Sequence, residues 1–514
     1  MTEDTCVLRE RLYVPEEYVS PEHLDAYTHY FPEEVTEEDE QGNLVKKRVL
    51  KKVQTVVRIR NPNNGRWYYG FARGNLGRLK ECFGFLPWDD RRSPAKMTSE
   101  LRFLPDKFLE TYEKDGRGQL ELVTEILADF RSGILKAPPR FGKTVVTTYL
   151  TTHLRFKTLI IIHQKDLLQQ FYREFLDFTN LVEIRTPQRK KRDATGQIVG
   201  FFGDYTNPEE LDVCLLCWQT LGSKHGPARI ERLRDVFGLN VFDEVHRCGA
   251  YKYASVINKL NPLHRLGLTG TVERVDQKQK LVLDIVGPVN AKGKVRQVPC
   301  VVAVIHTQVR IKWDDSEPLP WLHKRLYRDE KRLRSVIKYI QQDVADGFFI
   351  CVGFHRSSKE QLQEFTDLLK YMGYKAEAFY GDVHDREGVL DRFRSGETQV
   401  AVCNEAMLTG INVPRWNAYY SMFPTSSVCY EEQLDGSTDL SGNFVQNFSR
   451  PRTVFWYTPK IQKKAALIRD FVDDNTHCMR AYRKRLGAYK HEGFMIEHIY
   501  EPVGSKEEFC GTGT

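Results

Sequence analysis

The chain has no run approaching the roughly 18 consecutive apolar residues that a membrane-spanning helix requires. Its opening residues, MTEDTCVLRE, lack an apolar segment behind a basic one, so no secretory signal is expected. There is no cysteine framework either. The 11 cysteines are odd in number and scattered, which is the usage of reduced thiols. We therefore expect an intracellular protein, cytoplasmic in location or in the host cytoplasm if the source is viral. Cys214 and Cys217 have the spacing of half a zinc site, but they lie in an apolar run and no second pair follows, which favours buried thiols. Charge of one sign is not in large excess: 76 Lys and Arg against 69 Asp and Glu leave +7. That balance permits a nucleic-acid partner without requiring one. Short-period repeats and nuclease-like carboxylate clusters are also missing.

What is present is enough material for several cores. The 514 residues are 41% hydrophobic and 12% aromatic, and at roughly 100–200 residues per domain they predict about two to four domains. The first hundred or so residues stand apart. An acidic stretch, 33–40, gives way to a basic run, 46–52. Two strand-like runs, Val53–Arg60 and Arg66–Phe71, flank Asn61-Pro-Asn-Asn-Gly65, strong turn chemistry that predicts a hairpin. A short helix is expected over Asn75–Phe83. From about 118 to 289, apolar strand-like runs (158–162, 213–217, 239–242 and 266–269) alternate with helical patterns, the signature of a parallel α/β layer. A second alternation runs from near Val336 to Phe423, with a polar stretch at 427–443 read as a loop and a strand at 454–457. Beyond these, the chain reads as helical and basic, with Arg483 and Arg485 on a charged helix face. The spans predicted are 1–115 for a small N-terminal α+β accessory module, expected to bind DNA, 116–295 and 296–460 for two α/β domains, and 461–514 for a helical, basic C-terminal tail.

The sharpest local pattern is Ala137-Pro-Pro-Arg-Phe-Gly-Lys-Thr144, between an apolar run and a helical one. It fits the phosphate-loop pattern G-x-x-x-x-G-K-[ST] except that Ala137 replaces the first glycine. In such a loop, which here runs through Pro139, the backbone N–H groups of Arg140, Phe141, Gly142 and Lys143 and the helix start hold phosphates. Lys143 adds a point charge, and the Thr144 hydroxyl is a Mg²⁺ ligand. The run Leu239–His246 is a short apolar strand ending in Asp243, Glu244 and His246. At the carboxyl end of a parallel strand, Asp243 is suited to Mg²⁺ and Glu244 to the attacking water.

With these two elements in place, Asp243-Glu-Val-His246 resembles the DExH box of superfamily 2 helicases and translocases, and further motifs follow in that family's order. The segment 161–171, with His163 and Gln164, resembles motif Ia. Trp218-Gln219-Thr220-Leu221 resembles motif Ic, and Leu268-Thr269-Gly-Thr271 resembles motif III. Gly353-Phe-His355-Arg356 fits motif IV. Thr409-Gly410-Ile-Asn412-Val-Pro414 fits motif V, and Gln446-Asn-Phe-Ser-Arg450-Pro-Arg452 fits motif VI with shifted arginines. The resemblance covers about 119 to 457. It implies two tandem RecA-like domains with parallel sheets closing on ATP and Mg²⁺. It assigns Lys143, Asp243, Glu244, Gln446 and an arginine finger (Arg450 or Arg452) to catalysis, and Thr144 and Asp243 to the metal. Gln119 would read adenine, and Gly410 and Asn412 would line the nucleotide. His163, Gln164, Gln219, Thr220, His355, Arg356 and Thr409 would grip a strand by its phosphates, while His246, Thr269 and Thr271 would couple the two sites.

Motif Ia looks more like the DNA-directed branch of the superfamily than like DEAD-box RNA helicases. The appended N-terminal module is most similar in arrangement to the phage UvsW group of branch-migration helicases. The resemblance therefore implies an ATP-dependent DNA helicase or translocase acting on forked or branched DNA in replication, recombination or repair. An RNA helicase, and an ATPase switch subunit of a larger DNA-binding complex, stay open as alternatives. In the N-terminal hairpin, Arg60 and Arg66 interleave with Trp67 and Tyr68, a mixture that offers phosphate contacts and stacking faces together. The alternative for these residues is an ordinary small β-module with aromatics as its core and arginines solvated.

Overall fold

The structure is a computed structural model. It describes residues 5–38, 44–107, 109–110, 118–138, 141–163, 165–181, 199–201, 208–246, 251–270, 272, 278–295, 297–314, 317–354, 357–380, 383, 385–404, 413, 415–423, 429–432, 438–441, 451–452, 463 and 465–502. The chain divides into two compact units, Met1–Lys294 and Val295–Thr514.

The first unit opens with a small module. It comprises β1 (Cys6–Leu8), β2 (Arg11–Pro15), β3 (Thr28–Glu38), β4 (Leu44–Gln54), β5 (Val57–Arg60), β6 (Trp67–Ala72) and β7 (Trp88–Asp90). β5 and β6 form the predicted hairpin, with Arg60 opposite Trp67, and its turn uses Gly65 at φ +70°, a backbone state that strains other residues. Helix Leu76–Phe83 follows where expected, its start capped by the Asn75 side chain. No pattern in the sequence announces the β3–β4 ribbon. Its strands are Glu-rich and Lys-rich, with Glu34 opposite Arg48, and they lack the apolar alternation of a half-buried strand.

The first α/β layer carries β8 (Gly133–Lys136), β9 (Thr158–Ile162), β10 (Val199–Phe201), β11 (Val213–Cys217), β12 (Leu239–Asp243), β13 (His264–Thr269) and β14 (Val289–Lys292). They lie parallel in the order β10-β11-β9-β12-β13-β8-β14. Cys214 and Cys217 are buried in β11, and among the described residues no group of His, Cys, Asp and Glu is placed to hold a metal ion.

The second unit repeats the plan with β15 (Cys300–His306), β16 (Ile350–Gly353), β17 (Ala376–Phe379), β18 (Val400–Cys403), β19 (Ala418–Ser421), a separate ribbon of β20 (Cys429–Glu432) and β21 (Thr438–Ser441), then β22 (Ala466–Val472) and β23 (Met495–Tyr500). Its parallel sheet has the order β17-β18-β16-β19-β22-β15-β23. Numbered within each sheet, both read third, fourth, second, fifth, sixth, first, seventh. Strands such as β9 and β11 are buried at every position, as expected for parallel strands covered on both faces.

The C-terminal tail needs correction. Residues 466–500 are not a helical appendage but strand, helix (Thr476–His491) and strand, and β22 sits inside the sheet between β19 and β15. Arg485 is not on a charged face: it is buried, with Nε 2.9 Å and Nη2 2.8 Å from the Asp470 carboxylate. Two more buried pairs key the same strand and its end, Arg469 with Asp343 and Arg332 with Asp473. The polar stretch 427–443 contains the β20–β21 ribbon rather than only loop, and 454–457 lies outside the described residues. Among the described residues, no helix is long and apolar enough to cross a membrane.

Within the first unit, the N-terminal module is fastened where the strands of the sheet begin. Arg265, one residue into β13, is 1% exposed. Its guanidinium donates to the carbonyls of Ile257, Leu260 and Ile285 and, in the module, Glu10. Asp284 accepts from the Thr55 hydroxyl at 3.0 Å and lies 2.7 Å from His29 Nε2. The Glu10 carboxylate meets Arg234 at 2.8 Å. After β7 the chain runs along the first α/β layer: Ser93 bridges to Pro262 and Lys96 to Phe156, and the N–H groups of Thr98 and Ser99 donate to the Asp212 carboxylate.

His264 stands at this junction, beside the rings of Phe130 and Phe156. Burial, then the positive charges of Arg92 and Arg73, lower its pKa from 6.5 to about 4. Between those values the unfolded chain binds the proton and the native one does not, so the contribution of His264 is complete above pH 6.5 and is lost as pH falls through 4. Urea unfolding should therefore show lower stability at pH 5 than at pH 7, with a shallower pH slope for His264→Gln. Identical slopes would remove His264 from the account.

Candidate active site

Parallel strands deliver their ends to one rim, and register pins which residues meet there. Thr269 lies opposite Lys136, Leu268 opposite Asp243, Phe242 opposite Ile161, and Ile162 opposite Cys217. The segments following β8, β9, β11, β12 and β13 therefore emerge side by side. These are the segments that contain the phosphate-loop pattern, His163, Gln219 and Thr220, the Asp-Glu pair and Thr269.

The loop after β8 is held from several sides. Gly142 has φ +80°, and a Cβ there would stand 2.2 Å from Gln119 Nε2, so both backbone and space demand glycine. The Phe141 ring is buried, and a Cβ on Gly293 would come within 2.6 Å of it. Ala137 has no positive φ, which explains why the first glycine of the pattern is dispensable here. Its N–H donates to the Thr269 carbonyl at 2.8 Å, and its carbonyl accepts from Lys143 Nζ at 3.0 Å. Thr144 lies half-buried in the first turn of helix Lys143–Leu154. Pro139 and Arg140 lie outside the described residues.

Gln119 is not free to read a base. It is buried, its amide donates to the Phe141 carbonyl at 2.6 Å, and its Oε1 accepts from the Glu110 N–H at 2.9 Å. With both ends of the amide engaged, it braces the loop. This corrects the adenine assignment for the geometry seen here. Gly293 and the N–H of Glu110 are partners that no local pattern in the sequence marks.

After β12, Glu244 adopts φ +48°, the left-handed region that side chains avoid and that functional sites tolerate. His246 Nδ1 lies 2.9 Å from Thr269 Oγ1 and 3.2 Å from Glu244 Oε2, and one ring nitrogen cannot give a proton to both. Burial pushes the Glu244 pKa up. The neighbouring His246 and the charge of Lys143 outweigh that, leaving the carboxyl well below the usual carboxylate range. The result is an ionised, half-buried acceptor near a lysine and a helix start rich in N–H donors. An anionic phosphate chain with its cation would fit this donor set: Lys143 and the helix start would face phosphate oxygens, and Thr144 and Asp243 would hold Mg²⁺.

The residues expected to grip nucleic acid divide. Gln219 is exposed and Thr220 half-exposed beyond β11. His163 is corrected: it is 3% exposed, with Nδ1 3.4 Å from Asp243 Oδ2, behind the acidic pair rather than on the surface. In the hairpin, Trp67 is 41% exposed beneath the Arg58 guanidinium, 4.3 Å from the ring centroid. Tyr68 is corrected to a structural residue, because at 7% exposure its ring has no face to offer. Arg66 pairs with Glu17, and Arg60 Nε closes the turn on the Gly65 carbonyl. Arg452 is held by Glu492 at 2.9 Å and by the Phe494 ring, so it is engaged within the second unit. Gln164, Thr271, His355, Arg356, Thr409, Gly410, Asn412, Gln446 and Arg450 lie outside the described residues.

Residues 111–274 match the family described as Type III restriction enzyme, res subunit. That match covers the segment from just before the phosphate loop to just past Thr269. The chain is 23% identical over 341 residues to the DNA 3'-5' translocase XPB2 of Sulfurisphaera tokodaii, covering 58% of this chain and 72% of that protein. It is 25% identical over 305 residues to the DNA 3'-5' helicase XPB of Kineococcus radiotolerans, covering 55% and 49%. It spans about half the length of several such relatives. Among solved structures, Mss116p bound to ssRNA and AMP-PNP aligns with a TM-score of 0.50 at 12% identity, over 75% of this chain and 74% of that one. At that identity the likeness speaks for the fold alone, a pair of RecA-like domains.

Two substitutions separate binding from chemistry at this site. Lys143→Ala should lose ATP binding and hydrolysis together. Glu244→Gln should bind a fluorescent ATP analogue while turnover falls by about 10²–10⁴-fold, since an amide cannot take a proton from water. Normal turnover in the first, or lost binding in the second, would contradict the assignment.

Proposed function

We propose that the chain is an ATP- and Mg²⁺-dependent DNA helicase or translocase that remodels forked or branched DNA. The observation that carries this reading is the position of Thr269. Its carbonyl takes the N–H of Ala137 at the phosphate loop, and its hydroxyl meets His246 beside Glu244. One residue of motif III thus touches both halves of the nucleotide site, on the rim where Gln219 and Thr220 also emerge. A change at the phosphates has a short mechanical route to a strand held on that rim.

In this reading Lys143 neutralises phosphate charge, Glu244 orients and deprotonates the attacking water, and Thr144 with Asp243 holds Mg²⁺, whose contribution when bound is to neutralise the transferring phosphoryl group. Arg450 is the proposed finger, since Arg452 already has a carboxylate and a ring to satisfy it. Gripping through phosphates makes stepping independent of sequence. The names of the matched relatives, a DNA translocase and a DNA helicase, support DNA as the track. The preference for branched DNA rests on the resemblance to the UvsW group and on the Arg58–Trp67 surface of the hairpin.

The test is ATP hydrolysis measured with single-stranded, duplex, forked and four-way DNA and with RNA. Stimulation by DNA, strongest with forks or junctions, is the expected result; stimulation by RNA alone would overturn it. Arg450→Ala should lower kcat far more than ATP affinity. Arg452→Ala should instead lower stability, since Glu492 loses its partner and Phe494 its cation, read as a shifted unfolding midpoint. For the hairpin, surface substitution is a better probe than truncation, because the module supplies a partner to Arg265. Trp67→Ala should weaken fork binding by about 1–3 kcal/mol if a base stacks there, and parent-like affinity in anisotropy titrations would exclude stacking.

A further inference from the structure

His163 is the residue displaced furthest from its expected role. It is the first residue past β9, and the register that sets Ile161 opposite Phe242 brings it level with the end of β12. Its imidazole is 97% buried, yet among the described residues neither ring nitrogen makes a well-formed hydrogen bond. The nearest acceptor is Asp243 Oδ2, 3.4 Å from Nδ1, long for a bond of this kind. Leaving such a group unsatisfied is costly, whereas an apolar side chain of similar shape avoids that cost. A native chain that keeps the imidazole has a use for its nitrogen.

The main chain of the same residue points elsewhere. The His163 carbonyl accepts from Gln219 Nε2 at 2.9 Å, and Gln219 belongs to the exposed segment after β11. His163 is therefore bonded on one side to a strand-gripping segment and faces, on the other, the carboxylate assigned to Mg²⁺. Catalytic contacts that are long in an unloaded site commonly tighten once the site is filled.

We infer that His163 is a positioning residue for Asp243, and that through Gln219 it links strand binding to the geometry of the Mg²⁺-nucleotide site. The inference rests on the motor reading above. When Gln219 engages a strand, the peptide of His163 shifts with it. Nδ1–H then closes on Asp243 Oδ2, turning the carboxylate toward the cation. Residues that orient a metal-binding carboxylate in this way typically contribute about 10–100-fold to metal affinity.

The measurement is the Mg²⁺ concentration that half-saturates binding of a fluorescent ATP analogue, taken with and without single-stranded DNA, alongside ATP hydrolysis. In the parent, DNA should lower that concentration. His163→Leu, similar in bulk but without a donor, should raise it about 10-fold and lose the response to DNA. His163→Asn, whose amide nitrogen stands near the position of Nδ1, should restore both. If His163→Leu does not fold, His163→Ser takes its place as the variant without a donor at that position. Equal shifts in the Asn variant and the donor-free variant, or no shift in either, would overturn the inference and leave His163 as packing. A parent that responds to DNA, with variants that respond alike, overturns this inference alone; a parent that responds to no nucleic acid overturns the motor reading beneath it.

Discussion

Parallel strands joined by crossovers all run the same way, so the segments that follow them must emerge along a single rim. In this chain that constraint brings the ends of β8, β9, β11, β12 and β13, far apart in sequence, to one site. The register is tight because β9, β11 and β12 are buried at every position, and a slip by one residue would turn each side chain to the opposite face. Glu244 can occupy a strained left-handed conformation because the strand before it and His246, itself bonded to Thr269, hold it there. The surrounding sheet offsets the cost of that conformation.

The opposite rim is used for attachment. Arg265 lies one residue into β13 and Thr269 ends it, so one strand carries both the anchor of the N-terminal module and the bridge of the nucleotide site. The guanidinium of Arg265 is buried among four carbonyls, and hydrogen bonds from a charged donor are stronger than neutral ones. The hairpin with Trp67 therefore belongs to a module fixed to the rim away from the phosphates. Whatever that module binds, it moves with the first sheet as one body.

Much of this was legible from the sequence, and the reasons differ by element. Strands 158–162 and 213–217 are unbroken apolar runs between polar turns, and they are found at those bounds. The phosphate loop and the acidic pair declare themselves because their chemistry restricts residue type at fixed spacing. What escaped depends on contacts between distant segments. No local pattern tells that Gln119 spends its amide on main chain, that Tyr68 is covered while Trp67 is not, or that Arg452 finds Glu492. The β3–β4 ribbon is hidden by its charge, and β22 by the charged residues within it. Arg469 and Asp470 read as surface until their buried partners Asp343 and Arg485 are known.

The place of β22 has a consequence for how the second unit comes into being. Its neighbours β19 and β15 are separated in sequence by more than a hundred residues, and they touch only through β22. During synthesis the chain emerges from its N-terminal side, and units fold as they become complete. Until residues 466–472 are made, β15 has no partner on that side, and its apolar residues and unpaired backbone stay open to wrong pairings. The insertion of a strand carrying Arg469 and Asp470 is then a late, selective step. A purely apolar segment lacks the charges that Asp343 and Arg485 require, so the buried ion pairs favour this segment over an apolar one at that place in the sheet. Ribosome-bound chains ending before β22 would be the species most in need of a chaperone.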